Sequence, residues 1–389
     1  MEIELKKLGE ITTGNTPSKK DEKYWDSADI CFVKPDGIAD EGITLISDSS
    51  EYISENARGK ARVVSKDAVF VTCIGSIGKV GIADYGDYAF NQQINVIEPN
   101  EKVLPRYLAY NLLYSKPRLV AIANAPVVPI INKTQFGEFI VNIEEDRTKQ
   151  AEIISVLDKL TGIIDSRKKE LESFDELIKA RFVEMFEKES DENVYRLEDI
   201  SDIVSGITKG RKTKETEFRE VPYMAVSNVK DGYIDWTTVK TILATEDEIS
   251  LYKLLPNDVL MTEGGDPDKL GRGAIITEPP KDCIHQNHIF RVRLDKKRVL
   301  PRYFSAYLQS STAKKYFLKA AKQTTGIASI NMTQLRGLPT NVPTLDRQRE
   351  YAEFCEQVDK SKVIVQKSLD ETQILFDSLM QEYFGQAPK

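Results

Sequence analysis

Two stretches of the chain stand apart in the spacing of their apolar positions. From Arg147 to Phe186, steps of alternately three and four residues land on Ile153, Leu157, Leu160, Ile164, Arg167, Leu171, Phe174, Ile178, Arg181 and Met185, all apolar except the two arginines. From Arg347 to Phe384 the same stepping lands on Tyr351, Cys355, Val358, Lys362, Val365, Leu369, Thr372, Phe376, Leu379 and Tyr383, broken only at Lys362 and Thr372. Both are heptad seams. Neither stretch contains proline, and about 40 residues at 1.5 Å each predict helices of roughly 60 Å, long enough to span a domain. Periodicity alone fits two separately packed amphipathic helices as well as it fits a mutually paired couple.

Outside these stretches the apolar runs are short, as in ICFV (30–33) and VPYMAV (221–226), and glycine-rich turns separate them. A proline-initiated helix is predicted at PRYLAYNLL and again at PRYFSAYLQ, each followed by a polar loop and then a long helix. The fold class is α+β.

The recurrence extends along the whole chain. KVLPRY (102–107) returns as RVLPRY (298–303), LGEITTG (8–14) aligns with ISDIVSG (200–206), and INKTQFGEF (131–139) aligns with INMTQLRGL (330–338). QAEIISVLDK (150–159) aligns with YAEFCEQVDK (351–360) at an offset of 201, whereas EMF (184–186) against EYF (382–384) requires 198, which leaves the helix register between the copies open. Duplication favours pairing of the long helices. The expected organisation is two tandem globular domains separated by two long antiparallel coiled-coil helices in a pseudo-twofold internal repeat. Its divisions are 1–146, a first long helix 147–187, 195–344, and a second long helix 345–386.

With 389 residues the chain exceeds one ordinary core. No apolar run reaches membrane-spanning length, and the start MEIELKKLGE lacks the regions of a signal peptide, so a cytoplasmic location is expected. Cys31, Cys73, Cys283 and Cys355 lie far apart without a CxxC, which reads as core thiols rather than a zinc site or a disulfide framework. His285 and His288 form an HxxH without metal-spaced partners and read as ordinary hydrogen-bonding residues; no metal site is expected. The net charge of −7 conceals an asymmetry: residues 195–344 carry 23 basic and 18 acidic side chains, while 1–144 carry 16 and 20. Bases cluster in the second region as KGRKTK (209–214) and RVRLDKKR (291–298), a possible electrostatic footprint or a merely solvated surface.

GSIGK (75–79) is not a Walker loop, because only two residues separate its glycines and Val80 follows the lysine. Its counterpart is EGGDPDKLGRG (263–273). Both read as tight turns whose glycines let a backbone approach a ligand or simply close a hairpin. Pro267-Asp268 followed by Asp295-Lys296-Lys297 formally fits a Mg²⁺-dependent nuclease, but copy one has Pro99, Asn100 and Glu101 at the second position. The boxes of an adenine or cytosine N-methyltransferase are absent.

The ordered series LGEITTG, GSIGK, NQQI, LPRY, IN.TQ and heptad helix resembles the specificity (S) subunit of type I restriction-modification systems over essentially the whole chain; GGDPDKLGRG and HQNH (285–288) resemble its target-recognition domains. The resemblance implies a non-catalytic protein whose two target-recognition domains each read half of a bipartite double-stranded DNA site. The helices would set the spacer and dock two methyltransferase (M) subunits, with restriction/translocase (R) subunits joining further out. S-adenosylmethionine, ATP and Mg²⁺ would belong to those partners, with no cofactor in this chain. Candidate DNA contacts are Lys19, Lys20, Lys23, Arg58, Lys60, Ser76, Lys79, Asn91 and Gln92 in the first domain, and Lys209, Arg211, Lys212, Lys214, Lys269, Arg272, Gln286 and Asn287 in the second. Arginine, asparagine and glutamine pair bidentately with bases, whereas lysine mostly neutralises phosphate. A Mg²⁺ nuclease and a coiled-coil scaffold without DNA are the alternatives.

Overall fold

Each proline-initiated helix begins where the sequence places it, and its first residues show why LPRY recurs. In a computed structural model describing all residues but 124–127, 188–192, 212–216, 266–269, 325–326 and 386–389, with no side chain of 322–327 described, Pro105 opens helix Pro105–Tyr114 and Pro301 opens Pro301–Leu308. Proline has no N–H to waste at a first turn. Arg106 and Arg302 reach carboxylates on the long helices, Asp158 at 2.9 Å and Asp359 at 2.8 Å. Tyr107 and Tyr303 are buried in the two main cores. The IN.TQ motif is likewise structural: Asn132 with Gln135 and Asn331 with Gln334 form reciprocal capping boxes on short helices.

The chain divides into two compact units, Met1–Lys169 with Val365–Lys389, and Glu170–Ile364. Each unit therefore takes half of each long helix. In the first unit the main sheet runs in the order Gly9–Thr13, Ile94–Pro99, Val69–Thr72, Val80–Ala83, Ile43–Ile46, and a second sheet runs Tyr52–Ile53, Ile30–Val33, Asp87–Phe90, Val63–Ser65. In the second unit the main sheet runs Ser201–Ser205, Ile289–Leu294, Val259–Thr262, Gly273–Ile275. A three-stranded sheet there runs Lys240–Ala244, Arg219–Met224, Ile284–His285, and another runs Gly264–Gly265, Ile327–Ser329, Lys322–Thr324. In both units a strand of the smaller sheet, Ile30–Val33 or Arg219–Met224, has one antiparallel and one parallel neighbour (Cys31 beside Tyr88, Tyr223 beside Ile284). This is the α+β class expected.

The long helices are Arg147–Phe182 and Leu345–Phe384. Every seam position is buried or half-buried, while its flanks are exposed along most of both helices. In the first unit Leu157 joins Met380 and Phe384 in one core, so the start of the first helix meets the end of the second. In the second unit Asp175 pairs with Lys362, and Arg181 pairs with Glu350 at 2.8 Å. Numbers rising on one helix meet numbers falling on the other, as antiparallel pairing requires. At the end of the second helix burial shifts one residue along, from Leu379 and Tyr383 to Met380 and Phe384. The first helix closes in a π-helical turn, Val183–Glu187, which turns both Met185 and Phe186 inward.

The open helix register resolves to 198 at both ends, which corrects the offset of 201 read from QAEIISVLDK. Gln150 and Gln348, both fully buried, accept from Leu104 N–H and Leu300 N–H at 2.8 Å. Each also donates to two carbonyls, those of Lys102 and Glu144 or of Arg298 and Pro343. Phe186 lies 4.9 Å from Tyr303, as Phe384 lies 5.1 Å from Tyr107. Local identity misled the alignment because Arg302 reaches one turn further along its helix than Arg106 does.

Candidate nucleic-acid interface

In each unit four strand termini meet at one end of the main sheet. In the second, Ser201–Ser205 leaves through residues 206–211, Val259–Thr262 leaves into Glu263, Gly273–Ile275 is entered from Arg272, and Ile289–Leu294 is entered from 286–288. The register sets these ends side by side, with Ser205 opposite Phe290, Thr262 opposite Ile289 and Met261 opposite Gly273. In the first unit Thr13 stands opposite Asn95, Ile94 opposite Thr72 and Val71 opposite Val80. The loops bearing Lys19, Lys20, Lys23, Ser76, Lys79, Asn91 and Gln92 therefore share one sheet end, as do those bearing Lys209, Arg211, Arg272, Gln286 and Asn287. Lys212, Lys214 and Lys269 lie outside the described residues.

The two ends are built by the same backbone bonds. Cys73 N–H donates to Gln93 O at 2.7 Å, and Glu263 N–H to His288 O at 3.0 Å. Ile131 N–H donates to Cys73 O at 2.9 Å, and Ile330 N–H to Glu263 O at 2.8 Å. Gly14 and Gly206 lie so close to the carbonyls of Phe90 and His285 that a Cβ on either would collide with backbone. That explains the glycine closing LGEITTG and ISDIVSG. Residues from the polar loop ahead of each long helix are also brought in: Gly75 N–H donates to Pro129 O at 3.0 Å, and Gly264 pairs with Ser329. No local signal announces this, because the partners are more than fifty residues apart.

Charge at these ends is partly spoken for. Lys20, Lys60, Ser76 and Lys209 are exposed. Lys19 lies 3.3 Å from Glu51 and over the Trp25 ring, and Lys23 lies 3.4 Å from Asp21 and over Tyr24. Arg58 is held by Glu55 and by Asp87 at 2.8 Å, at the start of strand Asp87–Phe90 and so away from Asn91 at its other end. Lys60 is tied in through its carbonyl, which accepts from Asn15 Nδ2 at 2.6 Å. Lys79 is mostly buried, with Nζ 3.0 Å from Asp40 and 3.4 Å from Pro35 O. Arg211 pairs through two nitrogens with Glu248, whose carboxyl is thereby held below its ordinary range. Asn91 folds onto Gln93, Gln92 accepts from Thr16 Oγ1 at 3.0 Å, and Gln286 accepts from Val226 N–H at 3.3 Å. Asn287 Nδ2 lies 3.4 Å from His288 Nε2. Arg272 is half-buried, and among the described residues its Nε has no partner.

The second basic cluster, RVRLDKKR, is not an electrostatic footprint at its arginines. Arg291 is buried against Asp202 at 2.5 Å, Arg293 forms two 2.8 Å bonds with Asp258, and Arg298 donates to Asp199 O at 2.8 Å and lies over Tyr195. Arg291 and Arg293 are neutralised by carboxylates within the fold, and Arg298 is engaged by a backbone carbonyl and a ring. Of the nuclease pattern, Pro267 and Asp268 lie outside the described residues, while Asp295 follows strand Ile289–Leu294 at the end opposite to the one that faces Thr262. Cys73 and Cys283 are core thiols, each pushed up to about 12 by burial.

A family model of the type I restriction modification DNA specificity domain matches residues 1–173 and 189–372. The EcoKI specificity subunit of Escherichia coli K12 is 21% identical over 364 residues, covering 86% of this chain and 77% of that one. The MjaIX specificity subunit of Methanocaldococcus jannaschii is 26% identical, covering 70% and 68%. The putative MjaX specificity subunit of the same archaeon is 24% identical, but the chain spans only 42% of its length. In structure, the S subunit of the M. genitalium type I system aligns over 100% of this chain and 96% of its own, with a TM-score of 0.55 at 15% identity. A chain from a type I system solved for complex assembly and conformational transition aligns over 98% and 97%, with a TM-score of 0.63 at 14% identity. With two matched domains carrying equivalent sheet-end loop clusters, the chain belongs to the family of type I restriction-modification specificity subunits, which recognise DNA.

Proposed function

We propose that each unit reads one half of a bipartite DNA site through its sheet-end loops, and that the paired long helices hold the half-sites at a set spacing. The observation that carries this reading is the repetition of one loop cluster, down to its backbone hydrogen bonds, in two units that differ in the side chains presented. Phosphate contacts from exposed lysines position the duplex, and amides and arginines in the loops read base edges. The chain acts as a non-catalytic subunit. Two methyltransferase subunits dock on the helices, restriction/translocase subunits join them, and S-adenosylmethionine, ATP and Mg²⁺ act there. Exposed apolar pairs on the second helix, Val363 with Ile364 and Ile374 with Leu375, support a protein partner along it. Among the described residues no helix is long and apolar enough to cross a membrane, in keeping with a cytoplasmic place of action.

The test replaces residues 195–344 with the matching region of a relative and maps methylated adenines produced by the hybrid with its methyltransferase. A site with one old and one new half is the expected result. Loss of both halves by a correctly assembled hybrid overturns the reading.

A further inference from the structure

The two sheet ends share a backbone but differ at two facing positions that the fold leaves free. Where the first unit has Cys73, almost wholly buried, the second has Glu263. Its neighbour across the strands is His288, where the first unit has Gln93. Both make the same main-chain bonds as their counterparts, so neither ionisable side chain is demanded by the fold. The carboxylate is one-third exposed and the imidazole more than half exposed.

His288 Nδ1 lies 2.6 Å from Glu263 Oε2, and Asn287 Nδ2 lies 3.4 Å from His288 Nε2. A carboxylate only accepts, so the 2.6 Å contact needs a proton on Nδ1 directed at it, and with that tautomer Nε2 accepts from the Asn287 amide. Asn287, His288 and Glu263 thus form a donor chain ending on one carboxylate oxygen. Among the described residues the other oxygen, Oε1, meets no donor. A carboxylate beside a phosphate-binding surface is repelled by DNA, so its presence there calls for an offsetting contact. The base-edge group suited to an acceptor-only side chain is the cytosine N4 amino group in the major groove.

Building on the functional reading above, we propose that Glu263 is a specificity-determining residue that accepts a hydrogen bond from cytosine N4 in the second half-site, with His288 as its positioning residue. Glutamine at 263 keeps the shape and one acceptor but adds a donor, which suits adenine N6 and N7 instead.

The experiment is selection from DNA randomised at the second half-site, by the complex of full-length subunit and methyltransferase, for wild type, Glu263→Gln and His288→Ala, with thermal unfolding of each subunit as a control on folding. Wild type is expected to select cytosine at one position. Glu263→Gln should lower that preference at least tenfold, with adenine gaining, and leave the first half-site unchanged. His288→Ala should lower the preference at the same position by a smaller factor, and His288→Gln, which can still donate to the carboxylate, should restore part of it. If Glu263→Gln instead tightens binding to every sequence equally, or leaves the preference intact, the carboxylate reads nothing and the proposal is overturned. Should the variant fail to fold, Glu263→Asp replaces it, and an unaltered preference with this shorter carboxylate has the same overturning force. A wild-type complex that selects no bipartite site overturns the functional reading, and the proposal with it.

Discussion

His285 holds in the second unit the place that Phe90 holds in the first. Ile207 N–H donates to His285 O at 2.8 Å as Asn15 N–H donates to Phe90 O at 3.0 Å, and Gly206 and Gly14 press against the two carbonyls. The imidazole is fully buried; its Nδ1 faces Ile289 O at 3.1 Å, and among the described residues its Nε2 has no partner.

Burial, reinforced by the nearby Arg291 charge, lowers the His285 pKa to about 4 from its ordinary 6.5. The unfolded chain therefore binds this proton more readily than the folded one. The stabilisation is complete above about pH 6.5 and is lost progressively as the pH falls toward 4, by about 3 kcal/mol in all. His285→Phe, which installs the first unit's residue, should flatten this part of the pH profile. Denaturant midpoints of the second unit's transition at pH 7 and 4.5 provide the check; an unchanged difference in the variant refutes it.

Gln348→Ala should destabilise the second unit by about 2 to 4 kcal/mol, because it strands Leu300 N–H and two carbonyls in a buried setting. Gln150→Ala should do the same to the first unit. Two-step unfolding, with each substitution moving a different step, is the expected outcome.

Lys209 and Lys79 should separate phosphate contact from internal support. Lys209 is exposed, and Lys209→Ala should reduce the salt slope of DNA binding by ~0.9 if it meets one phosphate. Lys79→Ala should leave that slope unchanged and instead loosen residues 35–40, which its ammonium group holds through Asp40 and Pro35. Affinity measured across salt concentrations, with proteolysis of the 35–40 turn, distinguishes the two.

Arg272→Ala should weaken or relax only the half-site read by the second unit, by ~1 to 3 kcal/mol if a bidentate base contact is lost. Equal losses at both half-sites would assign Arg272 to general positioning.

Adding one heptad to each long helix at facing levels of the antiparallel pair keeps both seams in register and lengthens the pair by ~10 Å. That corresponds to about three base pairs at 3.4 Å each. Three base pairs also turn the duplex by roughly 100°, so binding should weaken overall while the original spacing is disfavoured more. Selection from random-spacer DNA by the assembled complex is the measurement. Continued choice of the original spacing shows that the helices do not set it.

The sequence by itself determined the repeat, the α+β class and both helix seams, because these follow from local rules: a heptad period, a proline at a helix start, an asparagine and a glutamine three apart in a capping box. It also placed most candidate residues in loops that meet at one sheet end, since glycine-bounded turns mark strand ends. Which charges stay available was decided by tertiary structure. Arg291, Arg293, Arg211 and Lys79 are indistinguishable in sequence from surface bases, yet each is engaged by groups between 35 and 89 residues away or across a sheet. Helix register was also a tertiary matter, fixed by Gln150 and Gln348 reaching the turns before the proline-led helices. The pairing of Glu263 with His288 belongs to the same class, because only strand register brings two residues 25 apart to the same sheet end.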